Sequence, residues 1–218
     1  MKLMSVPYRF IAIEGNIGVG KTTLCNRLAE QCGCTLLLEE FTENPFLPSF
    51  YTEPDRYAFP VELYFMTERH KQLLAHFEKQ GESSTFTVAD YFFVKTLLFA
   101  QNNLSDHELL LFRRLFKVLN DTFPKPDLLL YLHRPVDVLL NQIKNRGRSM
   151  EQSISAEYLE GIQDAYMSYL KKETDTPVVV LELGDADFQR DDKVFEAIHE
   201  IIQQEHQPGL KMLNMSLA

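Results

Sequence analysis

Apolar residues gather into five short runs along the chain: Phe10-Ile11-Ala12-Ile13, Thr35 to Leu38, Thr85 to Ala89, Leu128 to Leu132, and Val178 to Leu183. The apolar positions are consecutive rather than alternate, which is the pattern of strands buried on both faces of a parallel sheet. Longer stretches with helical spacing separate the runs: Thr23 to Gln31, about Arg56 to Lys79, about Phe93 to Asn120, and Val136 to Asn145. This alternation predicts an α/β fold, a five-stranded parallel sheet with helices on both faces. Pro126 and Pro177 stand at strand entrances, where a missing N–H is tolerated. With no internal repeat, low-complexity segment or linker, one domain is expected over residues 1–206. Residues 207–218 are expected as a loosely held C-terminal tail.

Composition removes several function classes. The net charge of -9, from 22 basic against 31 acidic residues, leaves no basic footprint for nucleic acid or an anionic membrane. Any anion must therefore be gripped locally. The three cysteines, Cys25, Cys32 and Cys34, are an odd number, which argues against a secreted disulfide framework. Cys32-Gly33-Cys34 supplies too few ligands for zinc. Met1 to Arg9 lacks the apolar core of a signal peptide, and no window holds the roughly 18 apolar residues of a membrane span. A cytoplasmic protein is expected.

The sharpest chemical signal is Gly15-Asn16-Ile17-Gly18-Val19-Gly20-Lys21-Thr22, a full G-x-x-x-x-G-K-[ST] match between the first strand and a helix. Glycines let the backbone curl so that N–H groups converge on phosphate oxygens, and the helix N-terminus adds positive charge. A nucleoside triphosphate is the expected ligand, bound by Gly15, Asn16, Gly18, Val19, Gly20, Lys21, Thr22 and Thr23. Lys21 reaches the outer phosphates, and Thr22 offers its hydroxyl to Mg2+. The loop alone leaves a kinase, a GTPase, an ATPase and a regulator open.

The carboxyl ends of strands line the ligand crevice in doubly wound sheets. Glu39-Glu40 ends the second run and Asp90 ends the third. A carboxylate at 39 or 40 suits a base for an attacking hydroxyl, and Asp90 a second metal carboxylate. A solvated acidic pair at a helix start is the plainer alternative for Glu39-Glu40. Arg146-Gly147-Arg148 suits a mobile lid that offsets phosphoryl charge, although basic residues also favour helix C-termini.

Several of these stretches, in this order, resemble the deoxynucleoside kinases, most of all their bacterial purine, deoxyguanosine kinase type. They are the glycine loop, Glu39-Glu40-Phe41-Thr42-Glu43-Asn44-Pro45-Phe46-Leu47, Phe50-Tyr51, Thr67-Glu68-Arg69-His70-Lys71-Gln72-Leu73, Val88-Ala89-Asp90-Tyr91, Pro124-Lys125-Pro126-Asp127 and Arg146-Gly147-Arg148. The resemblance implies a P-loop kinase fold with an arginine-bearing lid at about 145–153, and transfer of the ATP γ-phosphate to a nucleoside 5′-hydroxyl. It implies that Glu39 is the base, with Glu40 the lesser choice, and that Lys21, Arg146 and Arg148 offset the developing charge. Thr22, Glu39 and Asp90 would hold the metal, directly or through water. Asp90 falls on the acid of an Asp/Glu-Arg-Ser motif, but Tyr91 replaces the arginine; Lys95, one turn on, is within reach of the same space. Gln142 likewise departs from an arginine near the adenine. A homodimer is the family's usual state.

Tyr51 and Glu151 match the residues that contact the sugar 3′-hydroxyl, and Glu62 and Arg69 fall on the helix that lines the nucleoside site. Seven residues apart, Glu62 and Arg69 share a helix face. Relatives often place glutamine at 62. An ionised glutamate only accepts hydrogen bonds, which suits the N1–H and amino group of guanine, with Arg69 donating to O6 and N7. Deoxyguanosine, or another purine nucleoside, is the expected substrate. Phe46, Phe50, Phe59, Phe92 and Phe93 are candidates for stacking on the base. The rival readings are a thymidylate-type monophosphate kinase and a non-catalytic nucleotide switch.

Overall fold

The computed structural model describes residues 6–40, 44–79 and 85–215. The Phe41-Thr42-Glu43 portion of the resemblance lies outside the described residues, as do positions 1–5 and 216–218. The elements run β1 (Phe10–Gly15), α1 (Lys21–Cys32), β2 (Thr35–Leu37), α2 (Leu47–Phe50), α3 (Pro54–Lys79), β3 (Thr87–Ala89), α4 (Val94–Asn103), α5 (Asp106–Asn120), β4 (Leu128–His133), α6 (Val136–Arg146), a 3-10 turn (Ser149–Glu151), α7 (Ala156–Leu170), β5 (Pro177–Glu182), α8 (Asp192–Gln203) and β6 (Gly209–Asn214).

The sheet has the order β2-β3-β1-β4-β5-β6, and every strand pairing among the described residues is parallel. Alternate residues of each strand feed two cores. Phe10, Ala12, Leu129, Tyr131, Val178 and Val180 pack with apolar residues of α3, α4 and α7. Ile11, Ile13, Leu128, Leu130, Val179 and Leu181 pack with those of α1, α6 and α8. With both faces covered, neither set of alternate positions can be polar, and the strands read as unbroken apolar runs.

Two expectations need correction. The sheet has a sixth strand, formed by residues assigned to a loose tail: Gly209–Asn214 pairs with β5 in the register Val178↔Leu210 to Glu182↔Asn214. As an edge strand it is only half covered, with Met212 50% exposed, so its apolar signal is diluted. The helical stretch from Phe93 to Asn120 is two helices. Leu104 is extended, and Ser105 with Glu108 forms a capping box that starts α5.

The strand order sets β2, β3 and β1 side by side at one edge. Glu39, Asp90 and the glycine loop thus leave adjacent strand ends and converge on one crevice.

Candidate active site

The phosphate loop follows directly from β1. Gly15 has φ 148, and a Cβ there would lie 2.7 Å from the Leu132 carbonyl oxygen, so only glycine lets the loop turn this tightly against β4. Gly20 has φ 102 and heads α1 with no side-chain cap, which leaves the first-turn N–H groups facing the loop's hollow. Asn16 ties the loop down: its Nδ2 donates to the Leu159 carbonyl at 2.8 Å and its Oδ1 accepts from Ile17 N at 2.8 Å. Lys21 Nζ donates to the carbonyls of Gly15 and Asn16 at 2.8 and 3.0 Å. Burial, followed by repulsion from Lys95, pushes the Lys21 ammonium down to about 8. Val19 is buried and Gly18 closely approaches Ile143, so both present only backbone to a ligand.

Asp90 links the three strand ends. Its Oδ2 accepts from Thr22 Oγ1 at 2.5 Å and its Oδ1 accepts from Glu39 N at 2.7 Å. A hydroxyl and a carboxylate at a phosphate loop are hard oxygen donors, fitting a magnesium ion whose other ligands are phosphates and water. Glu39 is differently engaged. Arg69 donates to Oε1 through Nε at 2.7 Å and through a terminal nitrogen at 2.5 Å, while Lys95 Nζ meets Oε2 at 2.5 Å. Burial alone would raise the Glu39 carboxyl, but the Arg69 and Lys95 charges overcome it and hold the group well below the usual carboxylate range. Both Glu39 oxygens therefore lie against cations. Arg69 also donates to Thr96 Oγ1 at 2.9 Å. Its guanidinium thereby orders Glu39 while still lining the crevice that holds Glu62. Glu40 is exposed.

The Tyr91 departure now has a physical account. Its buried hydroxyl donates to Gln72 Oε1 at 2.9 Å, and Lys95 supplies the cation beside Glu39. Lys95 is 5% exposed and lines the crevice. Its position one turn into α4 was the available signal. Glu14 was missed altogether. It is 2% exposed, accepts from Phe92 N at 2.6 Å and Tyr166 Oη at 2.8 Å, and supports the loop from beneath.

The other end of the crevice is more apolar. Leu47, Phe50, Val61, Phe65 and Phe99 line it, with Tyr51, Glu62 and Tyr158 as polar groups. Among the expected stacking residues only Phe50 lines the crevice; Phe93 is buried and stacks on Phe116 at 5.3 Å. Phe65 and Phe99 were not anticipated. Glu62 Oε1 accepts from Asn103 Nδ2 at 2.6 Å, and Oε2 has no partner among the described residues. Burial pushes the Glu62 carboxyl up to about 7 against the opposing charge of Arg69.

The lid closes the third side. Gly147, at φ 74, ends α6. Arg146 and Arg148, each 35% exposed, both bond the Glu151 carboxylate, which is itself buried and shares the crevice with Tyr51. The two lid cations and the acid matched to the sugar site therefore form one unit.

The family model for deoxynucleoside kinases matches residues 11–206. The chain belongs to the deoxynucleoside kinase family. It is 37% identical over 196 residues to a deoxyguanosine kinase of Bacillus subtilis, covering 87% of this kinase and 93% of that protein. It is also 33% identical over 195 residues to the deoxyadenosine/deoxycytidine kinase of the same organism, covering 86% of this kinase and 88% of that one. In structure it resembles a deoxyadenosine kinase from M. mycoides, with a TM-score of 0.75 and 25% identity, covering 88% of this kinase and 97% of that chain. The kinase is thus an ATP-dependent phosphotransferase built on the P-loop kinase fold.

Proposed function

We propose that this kinase phosphorylates the 5′-hydroxyl of deoxyguanosine in preference to other deoxynucleosides. The observation that carries this is Glu62, a buried crevice-lining carboxylate with one oxygen unpartnered among the described residues, where a base edge would lie. A bare carboxylate oxygen accepts from the N1–H of guanine and repels the N1 lone pair of adenine. The similarity to a deoxyguanosine kinase supports the same reading.

In this mechanism the glycine loop and Lys21 hold the triphosphate; Thr22 and Asp90 would hold magnesium, which would supply positive charge against that of the phosphates. Tyr51 and Glu151 orient the sugar. Glu39, ionised throughout the neutral range, receives the 5′-hydroxyl proton late in transfer, as a loose transition state asks little of its base. Lys95 and Arg69 fix its orientation. Arg146 and Arg148 leave Glu151 in part to meet the transferring phosphoryl group. The reading includes a single kinase domain with its lid at about 145–153, a cytoplasmic setting and a homodimer, the last supported by family resemblance alone.

The test is transfer of labelled γ-phosphate from ATP to each of the four deoxynucleosides, by the native enzyme and Glu62→Gln. The native enzyme is expected to favour deoxyguanosine, and the variant to move toward deoxyadenosine. Identical preferences in the two proteins would remove the assignment.

A further inference from the structure

The two oxygens of Glu62 have unlike surroundings. Oε1 receives Asn103 Nδ2 at 2.6 Å, whereas Oε2 is buried without a hydrogen-bond partner among the described residues. The Asn103 amide is itself held in orientation. Its Oδ1 accepts from Asn102 Nδ2 at 3.2 Å, and its Nδ2 also reaches the Tyr158 hydroxyl at 3.3 Å. Oε1 is thereby fixed as an acceptor. A proton added to this side chain goes to Oε2, since a proton on Oε1 would oppose the N–H of Asn103.

We propose that Oε2 of Glu62, oriented by Asn103, sorts nucleosides by the state of the base ring nitrogen it meets. Bare, Oε2 accepts from a ring N–H, as in deoxyguanosine or deoxyinosine. Protonated, it donates to a ring lone pair, as in deoxyadenosine or deoxycytidine. One carboxyl therefore reads either class, and the proton it carries decides which. Asn103 is a positioning residue in this scheme, because it keeps the choice on a single oxygen. The inference rests on Glu62 being the base-reading group of the proposed function.

Charged and titratable groups face Glu62 from every side of the crevice. They are Arg69 from α3, Lys95 from α4, Glu39 beyond β2, Tyr51 beyond α2 and Tyr158 from α7. Burial is the largest influence and raises the carboxyl to about 7, with Arg69 the strongest opposing charge. Both forms are then populated near neutrality.

The experiment measures kcat/KM for deoxyadenosine and deoxyguanosine on one enzyme preparation from about pH 6 to about pH 8.5, both bases staying neutral throughout. Ionisations of ATP, Lys21 and the lid cancel in the ratio of the two values. The proposal expects the deoxyadenosine-to-deoxyguanosine ratio to fall about tenfold per pH unit, because protonated and ionised Glu62 change in that proportion. Glu62→Gln should give a ratio independent of pH. Asn103→Leu should keep the slope but favour deoxyadenosine at every pH, as a donor that stabilises the ionised form is lost. A flat ratio in the native enzyme, or an equal slope in Glu62→Gln, overturns the proposal. Its failure is separable from that of the guanine reading: a flat ratio with deoxyguanosine still preferred sinks only this inference. A sloping ratio with deoxyadenosine ahead at neutral pH sinks only the preference.

Discussion

Glu39 and Glu62 line one crevice, both largely shielded from water, and their carboxyls move in opposite directions. At the phosphate end Glu39 touches two cations and is held far below its ordinary range. At the base end Glu62 has, among the described residues, one neutral amide donor and a bare oxygen, and burial lifts it to about 7. Burial disfavours ionisation at both sites, so what separates them is the charge in direct contact. A group that must stay anionic beside a triphosphate needs cations to keep it so. A group meant to recognise a base can be left uncompensated, at a cost to the stability of the fold.

The comparison breaks most visibly at Glu39. Glu39→Gln leaves Arg69 and Lys95 buried without their anion and takes away the proton acceptor. A kcat loss of about 10²- to 10⁴-fold is expected in steady-state assays, and a variant with native turnover would remove the catalytic assignment. Lys95→Met should come next. Losing one partner of a buried pair typically costs about 3–5 kcal/mol, measured by denaturant unfolding. The Glu39 carboxyl should then rise toward its ordinary range, giving the surviving activity a second acid limb below the one that Glu62 sets in the native enzyme.

Glu62 offers a subtler comparison, through stability against pH. Its folded value lies above its ordinary 4.5, so its contribution is fully present below that pH and is lost as pH rises toward about 7. Glu62→Gln should abolish this decline, a difference of roughly 3 kcal/mol at most. Glu39 has the reverse sign, its contribution being present above 4.5 and lost as the solution is acidified. Parallel unfolding curves for native protein and Glu62→Gln across that window would contradict the burial account. The smallest effect concerns Lys21, whose ammonium lies near 8 in the free protein. The kcat/KM for ATP should fall above about that pH, while kcat, which reports the nucleotide-bound form, should not.

The elements of the phosphate end were largely legible in the sequence, because they are local. The loop, its strand and its helix occupy contiguous positions, and each glycine answers a constraint set by near neighbours. The base end was legible only in part. Glu62 and Tyr51 were placed through resemblance, but Asn103 comes from the far end of α4 and Tyr158 from α7. No periodicity announces which polar side chain will meet which across two helices.

Hydrophobic patterning by itself determined the parallel α/β layering, since strands covered on both faces must be apolar at every position. The glycine motif by itself determined where the chain curls into a hollow between β1 and α1, because backbone conformation there depends on residue type. Only the tertiary structure decided that Arg69 bonds Glu39, that Lys95 supplies the cation beside Glu39 where Tyr91 replaces an arginine, and that the last strand joins the sheet. A charged side chain several ångströms long can satisfy many partners. Which one it takes depends on what the fold brings within hydrogen-bonding distance, and sequence spacing does not carry that information.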